Sequence, residues 1–97
     1  AREEQAESDI IADVHLALAQ YRAAGKQVEF LKEAVDRARN SFQLSLDRIY
    51  EGQGLPLEAL QAMKALEQVE SMYLNASAQR NLSQLYLLAA TGDEIQL

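Results

Sequence analysis

The chain has 97 residues, a net charge of −6 from 15 acidic against 9 basic residues, and 48% hydrophobic content with only 6% aromatic. That length allows one small domain, and much of its apolar content is alanine, which favours helix but adds little buried area. The acidic balance argues against a nucleic-acid partner or an anionic lipid surface, and the absence of cysteine excludes a disulfide framework and thiolate metal ligation.

From about residue 3 to residue 50 there is no proline and one glycine, Gly25. Ile10, Val14, Ala17, Tyr21, Ala24, Val28, Leu31, Val35, Ala38, Phe42, Ser45 and Ile49 follow one another at alternating steps of four and three. A seven-residue period held this long predicts a helix in a left-handed coiled coil. Its alternate positions hold mostly small residues, Ala17, Ala24, Ala38 and Ser45, which let a partner helix come close. Ile11, Leu18, Ala34 and Leu46 widen the stripe beyond a two-helix seam and point to contact with more than one helix. Such a helix would run roughly 70 Å at 1.5 Å per residue and needs lateral packing to persist.

Residues 51–56 break the pattern. Gly52 and Gly54 accept positive φ and allow a reversal, while Pro56, the sole proline, suits the first turn of a new helix. Glu58 then stands near the positive end of that helix. The stretch is predicted to be a tight helix-to-helix reversal.

A second helix is expected over about 57–90, with a seam of Ala59, Ala62, Leu66, Val69, Tyr73, Ala76, Arg80, Ser83, Leu87 and Ala90. Thr91 and Gly92 are read as its end, Gly92 as the C-cap, and residues 91–97 as a tail closing in a frayed Asp-Glu-Ile-Gln-Leu. The expected fold is therefore all-α: one long antiparallel helical hairpin over 1–97, the first helix overhanging by about a dozen residues. That overhang, and a start without methionine, read as a piece of something longer. No apolar run reaches the ~20 residues of a membrane-spanning helix, and no signal peptide is evident.

Few residues invite chemistry. His15, the one histidine, falls beside the seam as a solvated position. A phosphotransfer role would require a four-helix bundle. Asp9 and Asp13 share a helical face, but two carboxylates without further ligands make a solvated face rather than a metal site. Gly-Gln-Gly after a helix lacks the lysine and hydroxyl of a phosphate loop. The serines have no His–Asp set nearby. Glu33 and Arg37 form a favourable pair one turn apart on a solubilising face. Asn81 and Gln84, polar in an apolar stretch, are either register-fixing seam residues or a surface amide pair. No enzyme activity and no cofactor is expected.

The order of pieces along the chain resembles the TolC-like outer membrane factor family, the outer membrane efflux proteins. The first helix carries Ala34, Ala38, Ser41, Phe42, Leu44, Leu46 and Arg48. The turn reads Arg-Ile-Tyr-Glu-Gly-Gln-Gly-Leu-Pro-Leu-Glu-Ala-Leu, and the second helix closes with Asn81, Gln84, Leu85, Ala90 and Gly92. The resemblance covers nearly the whole chain and rests on order and spacing rather than any single motif. It implies a homotrimeric tube, with a β-barrel in the outer membrane and an α-helical barrel in the periplasm. This chain would be the second-repeat helical hairpin of that barrel, turning at the periplasmic tip. The implied partners are a periplasmic adaptor and an inner-membrane pump that supplies the energy. Gly52 matches the family's turn glycine, and Gly54, Leu55 and Leu57 become tip contacts for the adaptor. Glu58 and Gln61 match positions where some members ring the constriction with aspartates. Ile49 stands where many members have a tip tyrosine, with Tyr50 one place later. A generic coiled-coil module, such as an adaptor hairpin or scaffold, is the alternative reading. Freed from its tube, the piece is expected to self-associate.

Overall fold

The computed structural model describes residues 2–96, with side chains from 3 to 92. It consists of two helices, α1 over Arg2–Tyr50 and α2 over Pro56–Gln96, folded back on each other as a rod with extents of 76 × 14 × 14 Å. No strand occurs among the described residues.

The seven-residue seam packs as its spacing requires. Every seam position of α1 from Ile10 to Ile49 is buried or half-buried. Leu31 is the most enclosed at 3% exposure, with Val28, Val35 and the small residues Ala17, Ala59 and Ala76 also buried. Val28, Leu31 and Ala76 form one layer, with Tyr73 packed against it. The alanines explain the slimness of the rod, since an Ala opposite a large side chain brings the backbones together without opening a void. Of the widening residues, Leu18, Ala34 and Leu46 are half-buried, whereas Ile11 is exposed.

One polar group of the seam, the Ser45 hydroxyl, is satisfied within its own helix. Ser45 Oγ donates to the Ser41 carbonyl at 3.1 Å, one turn back, so a hydroxyl sits in the seam at little cost. No side chain among the described residues is both buried and charged. The Arg37–Glu33 pair forms at 3.7 Å between two exposed side chains, as their spacing predicts. Arg39 and Glu70 make a second pair at 3.7 Å, this one across the two helices.

The hairpin has two distinct flanks. An open groove on one is lined by Ala24, Gln27, Leu31, Met72, Asn75, Ala76 and Gln79. The other is lined by Lys32, Val35, Asp36, Arg39 and Tyr73 and carries the Arg39–Glu70 pair.

The structure departs from the sequence expectations at Arg80 and at the end of the second helix, and it bears on the two readings of Asn81 and Gln84. Arg80 occupies a seam position by spacing but is exposed, because its long charged side chain escapes to water instead of packing. Asn81 and Gln84 are both exposed, which favours the surface reading over a role in the seam. The second helix does not end at Ala90. Thr91 Oγ1 donates to the Leu87 carbonyl at 2.8 Å, so its hydroxyl is absorbed within the helix rather than used to stop it. Gly92 lacks the positive φ of a C-cap, and the helix runs on to Gln96. The backbone predicted as a tail is thus helical up to Gln96; Leu97 lies outside the described residues. With 49 residues in α1 and 41 in α2, the overhang shrinks from the expected dozen.

Candidate functional site at the hairpin tip

The reversal between the helices is built almost entirely from backbone hydrogen bonds. Among the described residues Gly52 alone has positive φ, at 77°, and its N–H donates to the Ile49 carbonyl at 2.9 Å. The Gln53 N–H donates to the Arg48 carbonyl at 2.8 Å. Together these are the paired bonds of a Schellman motif, which satisfies carbonyls that a helix end leaves open and turns the chain sharply. The Gly54 N–H adds a second bond to Arg48 at 3.0 Å.

Gly54 has a different role from the one expected. Its φ is not positive; its lack of a side chain is what counts. A Cβ there would sit 3.0 Å from both the Arg48 Cβ and the Ile49 nitrogen. Gly52, by contrast, has nothing within 4 Å of such an atom and is required for its φ alone. The two glycines therefore solve two problems, one torsional and one steric.

Leu55 precedes the second helix and its carbonyl accepts from the Glu58 N–H at 3.0 Å. Pro56 opens α2, where its missing N–H costs nothing and its φ is already helical. Glu58 lies in this first turn, with its carboxylate in the field of the helix N-terminus. Glu58 and Gln61, one turn apart on α2, are both exposed.

The apolar side chains at the tip point outward. Leu55 and Leu57 are 63% and 62% exposed, Tyr50 is 83% exposed, and Leu60 is half-exposed. Inside them Ala59 is buried and Ile49 half-buried, so the seam closes right up to the turn. The turn thus presents Gly52, Gly54, Leu55 and Leu57 together at one end of the rod, with Tyr50 and Leu60 joining them. Leu60 was not singled out by the sequence. Its signal was available: it stands next to a seam position rather than on one, so the seven-residue pattern itself turns it away from the core.

His15, Asp9 and Asp13 are exposed, and no group of residues among those described could hold a metal ion. None of the described helices is long and apolar enough to cross a membrane.

The chain is a slender helical hairpin whose turn carries outward apolar side chains. The family model for outer membrane efflux proteins matches residues 1–93, and the chain belongs to that family. Neither the curated proteins nor the solved structures contain a match to it. The family is one of transport channels, so the chain is part of an outer membrane efflux protein, a kind of channel that works with adaptor and pump partners.

Proposed function

We propose that this chain is a periplasmic helical hairpin of a trimeric efflux channel, forming part of the tunnel wall and, at its turn, the end that docks the adaptor and narrows the passage. The observation that carries this is the tip itself: in a member of this family, a turn sealed by its own hydrogen bonds holds Leu55 and Leu57 out in water. Exposed leucines beside a rigid turn are a poor arrangement for a free surface and a good one for a partner's hairpin.

The hairpin's part in transport is passive. The tube conducts, and an inner-membrane pump supplies the energy and chooses the cargo. Glu58 and Gln61 face the constriction in this reading. In a trimer Glu58 contributes three carboxylates to one ring, which favours cations over anions and resists crowding because like charges repel. Gln61 adds no charge, so the ring is weaker than a doubly acidic one.

The test uses the full-length parent channel. Leu55→Asp with Leu57→Asp is expected to abolish tip cross-linking to the adaptor and efflux-dependent resistance while leaving trimer assembly intact. Single-channel recordings of Glu58→Gln are expected to show reduced cation preference. Unchanged adaptor cross-linking in the double aspartate variant would remove the docking role, and unchanged ion selectivity would remove the constriction role.

A further inference from the structure

One exposed stripe runs along α2 from the tip toward the far end. Glu58, Ala65, Met72, Gln79 and Tyr86 recur every seven residues, and Gln61, Gln68, Asn75 and Leu82 form a second line at the same interval. The two lines stand three and four residues apart, so they make one stripe on one side of the helix. Every one of these side chains is exposed. Glu58, at the tip end, is the stripe's single charge. From Gln61 to Tyr86 it has none, although Lys64, Glu67, Glu70 and Arg80 lie on the same length of helix.

The stripe borders the groove that Gln27 and Leu31 of α1 share with Met72, Asn75 and Gln79 of α2. On the α1 side of that groove Gln20, Gln27, Ala34 and Ser41 follow at sevens, again without a charge. Asp13 and Arg48, which continue this line, stand beyond its two ends. The next line outward on α1, between Leu16 and Leu44, carries one charge, Arg37, and Glu33 pairs with it at 3.7 Å. At 1.5 Å per residue the uncharged span is roughly 35 Å long. The other groove differs in kind. Lys32, Asp36 and Arg39 line it, and Arg39 pairs with Glu70 across the helices. The hairpin thus has one face of carboxamides and one of charges.

Carboxamides donate and accept hydrogen bonds, so they stay wet without a long-range field. A fixed charge, by contrast, attracts counter-ions and oppositely charged solutes over about 8 Å at physiological ionic strength. Along a passage that solutes must leave as well as enter, many weak neutral contacts hold a solute less firmly than a row of charges does.

We propose that the carboxamide face of this hairpin borders the tunnel as an uncharged hydrogen-bonding track behind the Glu58 ring, with the charged face turned away from it. This rests on the channel reading above, in which Glu58 and Gln61 face the constriction. The stripe begins with those two residues and continues their side of α2 without a break. The track takes solutes of either charge sign and meets them with the amides of Gln27, Gln68, Asn75 and Gln79. Discrimination by charge stays at the tip.

The test is made in the full-length parent channel on a cysteine-free background. Gln68→Cys and Asn75→Cys probe the carboxamide face, Lys32→Cys and Asp36→Cys the charged face. Each is modified with a negatively or a positively charged methanethiosulfonate, and the reversal potential under a salt gradient is read before and after. At Gln68→Cys and Asn75→Cys the negative reagent is expected to shift it toward cation preference and the positive reagent toward anion preference. At Lys32→Cys and Asp36→Cys neither reagent is expected to shift it. Shifts from the charged face, alone or alongside the other, would overturn the inference and leave the tunnel reading standing. Complete modification by mass spectrometry with no shift from either face would sink both. Gln68→Glu combined with Asn75→Asp is expected to lower resistance to a cationic compound more than to a neutral one exported by the same pump, at unchanged yield of assembled channel. An equal effect on the two compounds would refute the neutral track.

Discussion

Replacing Gly52 by L-alanine tests the turn at its most demanding point. Gly52 has φ of 77° and no atom within 4 Å of an added Cβ, so the substitution meets no steric obstacle and its effect is torsional. Holding an L-residue in the left-handed region costs about 1–2 kcal/mol. Against this, removing a glycine reduces the freedom of the unfolded chain and returns about 0.4–1 kcal/mol. The net expectation is a loss of about 1 kcal/mol, or about 4–8 °C in melting temperature for a chain of this size. Gly25→Ala isolates the compensating contribution. It lies inside α1 with open space around its Cβ position and ordinary φ, so it is expected to stabilise by about 0.5–1 kcal/mol. A D-alanine at position 52, introduced by chemical synthesis, accepts the observed φ and is expected to stabilise too. Thermal and urea unfolding followed by far-ultraviolet circular dichroism, at one fixed chain concentration, provide the comparison, because association shifts apparent stability. Equal stabilities for the L- and D-alanine forms would refute the assignment of Gly52 to the left-handed region and with it the Schellman turn.

Gly54→Ala is expected to cost more than Gly52→Ala by the same unfolding assay, because the new Cβ meets the Arg48 Cβ and the Ile49 backbone nitrogen at 3.0 Å and backbone atoms yield little. Leu31→Ala, at the most buried seam position, is expected to lose about 2–5 kcal/mol, toward the low end because a two-helix core can collapse around the gap. Urea midpoints should therefore separate it clearly from Phe30→Ala next door, whose side chain is exposed. Arg39→Ala is expected to change stability by less than about 1 kcal/mol, and the native chain's melting temperature to vary little with added salt, because the Arg39–Glu70 pair is solvent-exposed.

The helical parts of this chain were legible because they are written locally. A seven-residue period from Ile10 to Ile49 needs no knowledge of the partner, and neither does a break with two glycines and a proline. The Glu33–Arg37 pair is equally local, one turn of one helix. The tip residues Gly52, Gly54, Leu55 and Leu57 could be placed at the turn for the same reason. What the spacing cannot carry is how a position is used. Arg80 keeps the period yet leaves the seam, because a guanidinium prefers water to an apolar layer. Thr91 and Gly92 carry the composition of a helix end. The threonine's bond back to Leu87 and the continuing backbone instead extend the helix to Gln96. Gly54 looked like a second left-handed glycine and proved to be a site of close approach, which depends on where Arg48 and Ile49 lie after the turn has formed.

By itself, then, the sequence determined two helices, one reversal and an apolar face on each helix, since these follow from periodicity and backbone preference along a single segment. The tertiary structure alone decided the register between the helices. Only that register sets Arg39 beside Glu70 and packs Tyr73 and Ala76 against Val28 and Leu31. Those relations join residues far apart in the chain, and they are set by how the alanine and large side chains of the seam interlock across it.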